Sequence, residues 1–173
     1  MRISVRRRLL GLLAGTVAGL AAVALAPGSA QAFPAPFQIS NVGSGLCLEP
    51  DYLGNGAPIR QQACDRSHAG QNWDTGPITS TQNTVFLAGT FWCLDVRDGV
   101  NADRTPVQLW TCTGSRTMFW ALKPADDHFN LFRLVSNVGS RCLDVAGGSL
   151  EPNAQLQIYH CTAPNTAQVF RFG

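Results

Sequence analysis

Cys93-Leu94-Asp95-Val96, then Val107-Gln108-Leu109-Trp110, then Cys112, then Met118-Phe119-Trp120 make up the stretch on which the reading of this chain turns. Its landmarks recur on both sides. Cys142-Leu143-Asp144, Leu156-Gln157-Ile158-Tyr159, Cys161 and Gln168-Val169-Phe170 follow in the same order, and Cys47-Leu48-Glu49, Cys64 and Gln71-Asn72-Trp73 come before. Ser40-Asn41-Val42-Gly43-Ser44 also returns as Ser136-Asn137-Val138-Gly139-Ser140. Landmarks that keep their order at offsets of 46 and 49 residues mark three copies of one internal repeat.

The six cysteines follow the same rhythm, with separations of 17, 19 and 19 inside the copies and 29 and 30 between them. That regularity predicts three local disulfides, Cys47–Cys64, Cys93–Cys112 and Cys142–Cys161, out of roughly fifteen formal connectivities. Each loop of this length would contribute roughly 3 kcal/mol by restricting the unfolded chain. There is no C-x-x-C, and His68, His128 and His160 do not stand at ligand spacing from paired cysteines, so no metal or other cofactor is expected. Glycine and proline punctuate the chain closely, and apolar positions alternate at period two in Val107, Leu109 and in Leu156, Ile158. Short strands joined by frequent turns are therefore predicted, an all-β chain without long helices. No copy of fewer than 50 residues has enough apolar surface for a core of its own. Trp73, Trp120 and Phe170 are the natural shared centre.

The formal charge of +2 needs dividing before it means anything. Arg2, Arg6, Arg7 and Arg8 precede an apolar run from Leu9 to Leu25, a Pro27-Gly28 break and the small-residue sequence Ala30-Gln31-Ala32. This pattern predicts a signal peptide over residues 1–32 and an extracellular, secreted product. Arg6-Arg7 faintly resembles a twin-arginine signal, but a chain that needs several disulfides is better exported unfolded. The remaining domain, 33–173, holds repeats at about 37–77, 78–127 and 128–173, and nine bases against eleven acids give it a charge of −2. With that balance neither nucleic acid nor membrane insertion after cleavage is expected.

Three repeats with a Q-x-W signature (QNW, MFW and QVF), a CLD element (CLE, CLD and CLD) and a cysteine pair 17 to 19 apart resemble the ricin-type β-trefoil lectin family over about residues 37–173. The resemblance implies a pseudo-threefold β-trefoil, with six strands closing a barrel, six capping it and up to one shallow sugar pocket per repeat. It implies no catalysis. The residues agree, since there is no G-x-S-x-G elbow, no H-E-x-x-H and no glycine-rich phosphate loop. Asp95 and Asp144 belong to different lobes, too far apart for a glycosidase pair. Asp126-Asp127 reads as a solvated turn between copies.

Alternation along antiparallel strands supports a pocket on separate grounds. With Cys93 and Cys112 bridged, the residues two inside each cysteine, Asp95 and Trp110, are expected to face each other on one side of the hairpin. A carboxylate accepts hydrogen bonds from neighbouring hydroxyls, while an indole stacks on the C–H face of a pyranose. Gln108 shares the parity of Trp110 and can orient the carboxylate. The third copy repeats the set as Asp144, Gln157 and Tyr159, at the same 13 and 15 residues from the acid. Carbohydrate-binding residues are accordingly expected in repeats two and three, for galactose- or xylose-type sugars on a polysaccharide or glycoconjugate.

The first copy departs from this pattern. Its acid is Glu49, and Arg60 and Gln62 stand where the amide and the aromatic would be, so it is expected to be a structural lobe. Family members tend to carry an asparagine just before the Q-x-W glutamine, where this chain has Gly70, Thr117 and Ala167. Met118 replaces the second glutamine, which removes a structural hydrogen bond there. The alternative function is a non-catalytic trefoil subunit that binds a cell surface or partner in a larger toxin-like assembly, suggested by the segment Phe37–Leu48. A trefoil protease inhibitor has no identifiable reactive loop here.

Overall fold

The computed structural model describes residues 36–125 and 129–173. The expected signal peptide, Phe33 to Ala35 and the Asp126-Asp127-His128 turn lie outside the described residues. Twelve strands follow one another: β1 (Ile39–Asn41), β2 (Cys47–Pro50), β3 (Ala57–Gln62), β4 (Trp73–Pro77), β5 (Asn83–Leu87), β6 (Trp92–Val96), β7 (Thr105–Thr111), β8 (Phe119–Pro124), β9 (Leu131–Ser136), β10 (Cys142–Val145), β11 (Leu156–Tyr159) and β12 (Phe170–Phe172).

Pairing sorts them into two layers. β1, β12, β9, β8, β5 and β4 pair in that order. The bridge from Phe37 to Trp73 then returns β4 to the chain entering β1, so the six close a barrel that leaves no free edge. The hairpins β2–β3, β6–β7 and β10–β11 form the cap. They join one another through β3–β7, β7–β11 and the Arg60–Gln155 bridge. Cap and barrel connect at equivalent points, where Ser40 pairs with Cys47, Phe86 with Cys93 and Val135 with Cys142. This is a β-trefoil. Its disulfides are the three local ones that the spacing predicts, Cys47–Cys64, Cys93–Cys112 and Cys142–Cys161.

Trp73, Trp120 and Phe170 are fully buried and belong to one apolar cluster with Leu48, Leu94 and Leu143. The indole of Trp73 donates to the Leu48 carbonyl at 3.1 Å, and that of Trp120 to the Leu94 carbonyl at 3.0 Å. Both bonds tie a barrel strand to the cap hairpin of its own repeat and satisfy a polar atom that burial would otherwise leave costly. Phe37 and Ile39, within the segment that suggested a partner-binding subunit, are core residues. Among the described residues no helix is long and apolar enough to cross a membrane.

Trp120→Ala is expected to destabilise the protein by about 3–5 kcal/mol through cavity formation and the orphaned Leu94 carbonyl. The check is the urea midpoint at unchanged slope, and a loss under about 1 kcal/mol would show that the repeats do not share this centre.

Candidate functional site

In the second hairpin, Asp95 stands opposite Gln108 and Cys93 opposite Trp110. Opposed residues share a face of the sheet, as do residues two apart along a strand. Asp95, Gln108 and Trp110 are thereby gathered on one face, while Leu94 and Leu109 fill the core behind them. The third hairpin repeats the arrangement, with Asp144 opposite Gln157 and Cys142 opposite Tyr159. The expected direct opposition of Asp95 to Trp110, and of Asp144 to Tyr159, is thus corrected by two residues of register. The cause is the disulfide, which runs diagonally. Cys112 lies two residues beyond Trp110, its amide donating to the Phe91 carbonyl, so counting inward from both cysteines overshoots.

The glutamines hold the acids. Gln108 Nε2 donates to Asp95 Oδ2 at 2.9 Å, and its own Oε1 accepts from Arg97 Nε at 3.1 Å. Gln157 Nε2 donates to Asp144 Oδ1 at 2.8 Å, and Gln168 Nε2, from the Q-x-W signature, to Asp144 Oδ2 at 3.1 Å. Gln168 also donates to the His160 carbonyl and accepts from the Thr162 amide, so it stitches the acid to the loop after the hairpin. Met118 cannot do this in the second repeat. Its Sδ lies 3.5 Å from the Thr113 amide, and the Thr117 side chain supports Asp95 instead.

Burial is the main influence on both carboxyls and raises their pKa above the ordinary aspartate value. Hydrogen bonds from Thr117 and Gln108 at Asp95, and from Gln157 and Gln168 at Asp144, pull in the other direction. The charge of Asp98 adds to the upward shift at Asp95.

Each set opens into a cleft. The second cleft, of about 220 Å³, includes Asp95, Asp98, Gln108, Trp110, Ser115 and Thr117 in its lining. The third, of about 480 Å³, includes Arg104, Asp144, Gln157, Tyr159 and Asn165. Trp110 is 37 % exposed and Tyr159 half-buried, so both rings present a face to solvent. The His160 ring lies against Tyr159 with centroids 4.4 Å apart, and its Nδ1 is 2.8 Å from Asp103 Oδ2, which braces the aromatic wall.

The first repeat is built differently. Arg60 faces Glu49 across the hairpin but turns its guanidinium to Asp51 at 2.8 Å and to the Asn153 carbonyl. Glu49 is taken up by Gln71 Nε2 at 2.7 Å and by His68 Nδ1 at 3.2 Å. Gln62, in the place of the aromatic, bonds Asn153. The polar groups of this lobe are thus engaged with one another and with Asn153 of the third repeat, and it offers no aromatic platform.

Among the lining residues that escape the sequence reading are Asp98, Ser115, Arg104 and Asn165. Ser115 and Asn165 share a signal that spacing could have revealed. Each stands three residues before the signature position and caps the short 3-10 turn there through the amides of Thr117 and Ala167. Arg104 has no such signal, because it reaches the third cleft from the second repeat.

The family model for the ricin-type beta-trefoil lectin domain matches residues 35–170. No curated protein sequence matches the chain. Among solved structures, a designed threefold-symmetric protein, ThreeFoil, superposes with a TM-score of 0.72 at 20% identity, over 79% of this chain and 96% of that one. An exo-beta-1,3-galactanase from Clostridium thermocellum superposes with a TM-score of 0.73 at 21% identity, over 80% of this chain but only 30% of the galactanase. The Macrolepiota procera ricin B-like lectin, solved in complex with lactose, gives a TM-score of 0.62 at 19% identity, over 79% and 92% of the two chains.

A carbon-detected NMR titration of the carboxyls should find Asp95 and Asp144 above the ordinary aspartate value. Asp103, which accepts from His160 and Arg141, should fall below it. A raised folded pKa means that ionising Asp95 and Asp144 costs stability at neutral pH, a cost relieved as pH falls through that raised value. Asp95→Asn should therefore be at least as stable as the wild type at pH 7, measured by the urea midpoint.

Proposed function

The chain belongs to the ricin-type β-trefoil lectin domain family, and on that premise we propose that it is a secreted lectin whose second and third clefts hold galactose- or xylose-type sugars. One observation carries this reading: a partly desolvated carboxylate, clamped by a glutamine amide, stands beside a solvent-facing aromatic ring, and does so twice. An ionised carboxylate offers roughly four acceptor positions, of which protein amides use two at Asp144. The rest suit two vicinal hydroxyls. The ring of Trp110 or Tyr159 covers the C–H face of the same sugar. The clamp fixes the carboxylate before the sugar arrives, so little ordering is left to offset on binding. The lactose complex of the Macrolepiota procera lectin and the galactan specificity named for the Clostridium enzyme support a galactose-type preference.

The family is typically non-catalytic, and we take the protein to be a binding module. The mature domain is read as 33–173, exported by the Arg-led apolar leader, and three disulfides suit an oxidising compartment. Each cleft alone would bind at roughly millimolar strength, near −4 kcal/mol. Two clefts on one polysaccharide or crowded glycoconjugate raise the effective affinity without new contacts.

Retention on immobilised galactose- and xylose-containing polysaccharides tests the proposal. Wild-type protein should be retained, either single variant Asp95→Ala or Asp144→Ala weakened, and the double variant reduced by at least about tenfold. Wild-type retention of the folded double variant would place the site elsewhere. Because only the ionised acid accepts both hydroxyls, retention should also fall on acidification, at higher pH than an unshifted aspartate would give.

A further inference from the structure

Each cap hairpin holds a residue at positive φ shortly before its second strand: Gly56 at 84°, Arg104 at 69° and Asn153 at 67°. The three are equivalent, since each donates its amide to a neighbouring hairpin, to the carbonyls of Leu109, Ile158 and Gln61 respectively. Glycine adopts this backbone freely and asparagine tolerates it, whereas arginine does so only against the clash of its Cβ with the backbone. A side chain held at such a position is a candidate for a role in the place to which it is delivered.

Arg104 is delivered to the third cleft, alongside Asp144, Gln157 and Tyr159. Its guanidinium is not consumed by a neighbour. Ion pairs among the described residues join Arg60 to Asp51, His68 to Glu49, and both Arg141 and His160 to Asp103. Asp103, next in sequence, is thereby already matched by two partners. Asp144 takes an amide on each of its oxygens. The third cleft thus carries an exposed cation with no anion committed to it. The second cleft is the reverse. The equivalent turn residue is Gly56, whose carbonyl accepts from Arg97, and the lining holds Asp95 and Asp98 with no base. It is also less than half the size of the third.

Resting on the lectin reading of the third cleft, we infer that this cleft selects a sugar that carries a carboxylate. Arg104 reads that group while Asp144 and Tyr159 hold the ring, and the second cleft is left for uncharged sugars. The planar guanidinium fork matches a carboxylate through two parallel hydrogen bonds, a geometry no hydroxyl supplies. The larger volume of the third cleft leaves room for the extra group beyond the ring. A carboxylate brought to the second cleft would meet two acids instead.

Methyl galactoside and methyl galacturonate differ in this one group, and their binding can be followed separately at the two clefts through the side-chain amide NMR signals of Gln108 and Gln157. The galacturonate should bind at Gln157 about fivefold more tightly than the galactoside, and more weakly than it at Gln108. The preference should shrink on raising the salt to about 0.5 M. In Arg104→Asn, which keeps a residue suited to positive φ, the affinity ratio at Gln157 should fall to about one, and Arg104→Lys should recover part of it. Equal affinities in the wild type, or a preference that survives Arg104→Asn, would overturn the inference while leaving the lectin reading standing. Silence at Gln157 toward both sugars would overturn the lectin reading of that cleft, and this inference with it.

Discussion

The indole of Trp120 donates to the buried carbonyl of Leu94, and that of Trp73 to Leu48, and in the first two repeats these anchors set where the acid of each hairpin stands. Each holds the middle residue of a Cys-Leu-acid triplet against the shared centre. Because side chains alternate across a strand, a leucine turned inward sends the next residue to the opposite face. Asp95 and Asp144 are delivered to their clefts for that reason, at the points where the cap hairpins leave the barrel. In the third repeat Phe170 takes the central place without an indole, and burial of Leu143 among the same side chains keeps Asp144 in position.

The anchoring has an electrostatic consequence. An acid next to the core loses water, which is why Asp95 and Asp144 are harder to ionise than free aspartate. The amides of Gln108, Gln157 and Gln168 offset part of that loss and fix the carboxylates in one orientation. A carboxylate poor in water and rigidly held gains more from ligand hydroxyls than a solvated one. The fold thus accepts a local destabilisation at the two clefts. The first repeat resolves the same tension differently, since Gln71 and His68 satisfy Glu49 from within.

Pseudo-threefold symmetry supplies three equivalent frames and leaves each free to diverge. Gly56, Arg104 and Asn153 occupy one backbone position in three environments, each at the boundary with another repeat's hairpin. The third cleft is therefore made by two repeats: its own brings the acid, the amide and the ring, and the second brings the turn that borders them. Charge differs between the second and third clefts through Arg104 from that borrowed turn and through Asp98 from the second repeat itself.

The fold was legible in the sequence because it rests on periodicity. Cys-Leu-acid triplets, cysteine spacings and the positions of Trp73, Trp120 and Phe170 report disulfides and a shared core, and those depend on order along the chain. The acids, amides and aromatics of the clefts were legible for the same reason, being local to one hairpin. Their register was not, because a disulfide can cross a hairpin directly or diagonally and the spacing of Cys93 and Cys112 does not say which. Nor did Met118 announce that Thr117 would stand in for the missing glutamine. Tertiary structure alone brought Arg104 beside Asp144 and Tyr159, and engaged Asp103 with Arg141 and His160 so that Arg104 was left free. Repeats that are separate in sequence become walls of one cleft only when the three hairpins close around the barrel, and no pattern within a single repeat encodes what its neighbour contributes.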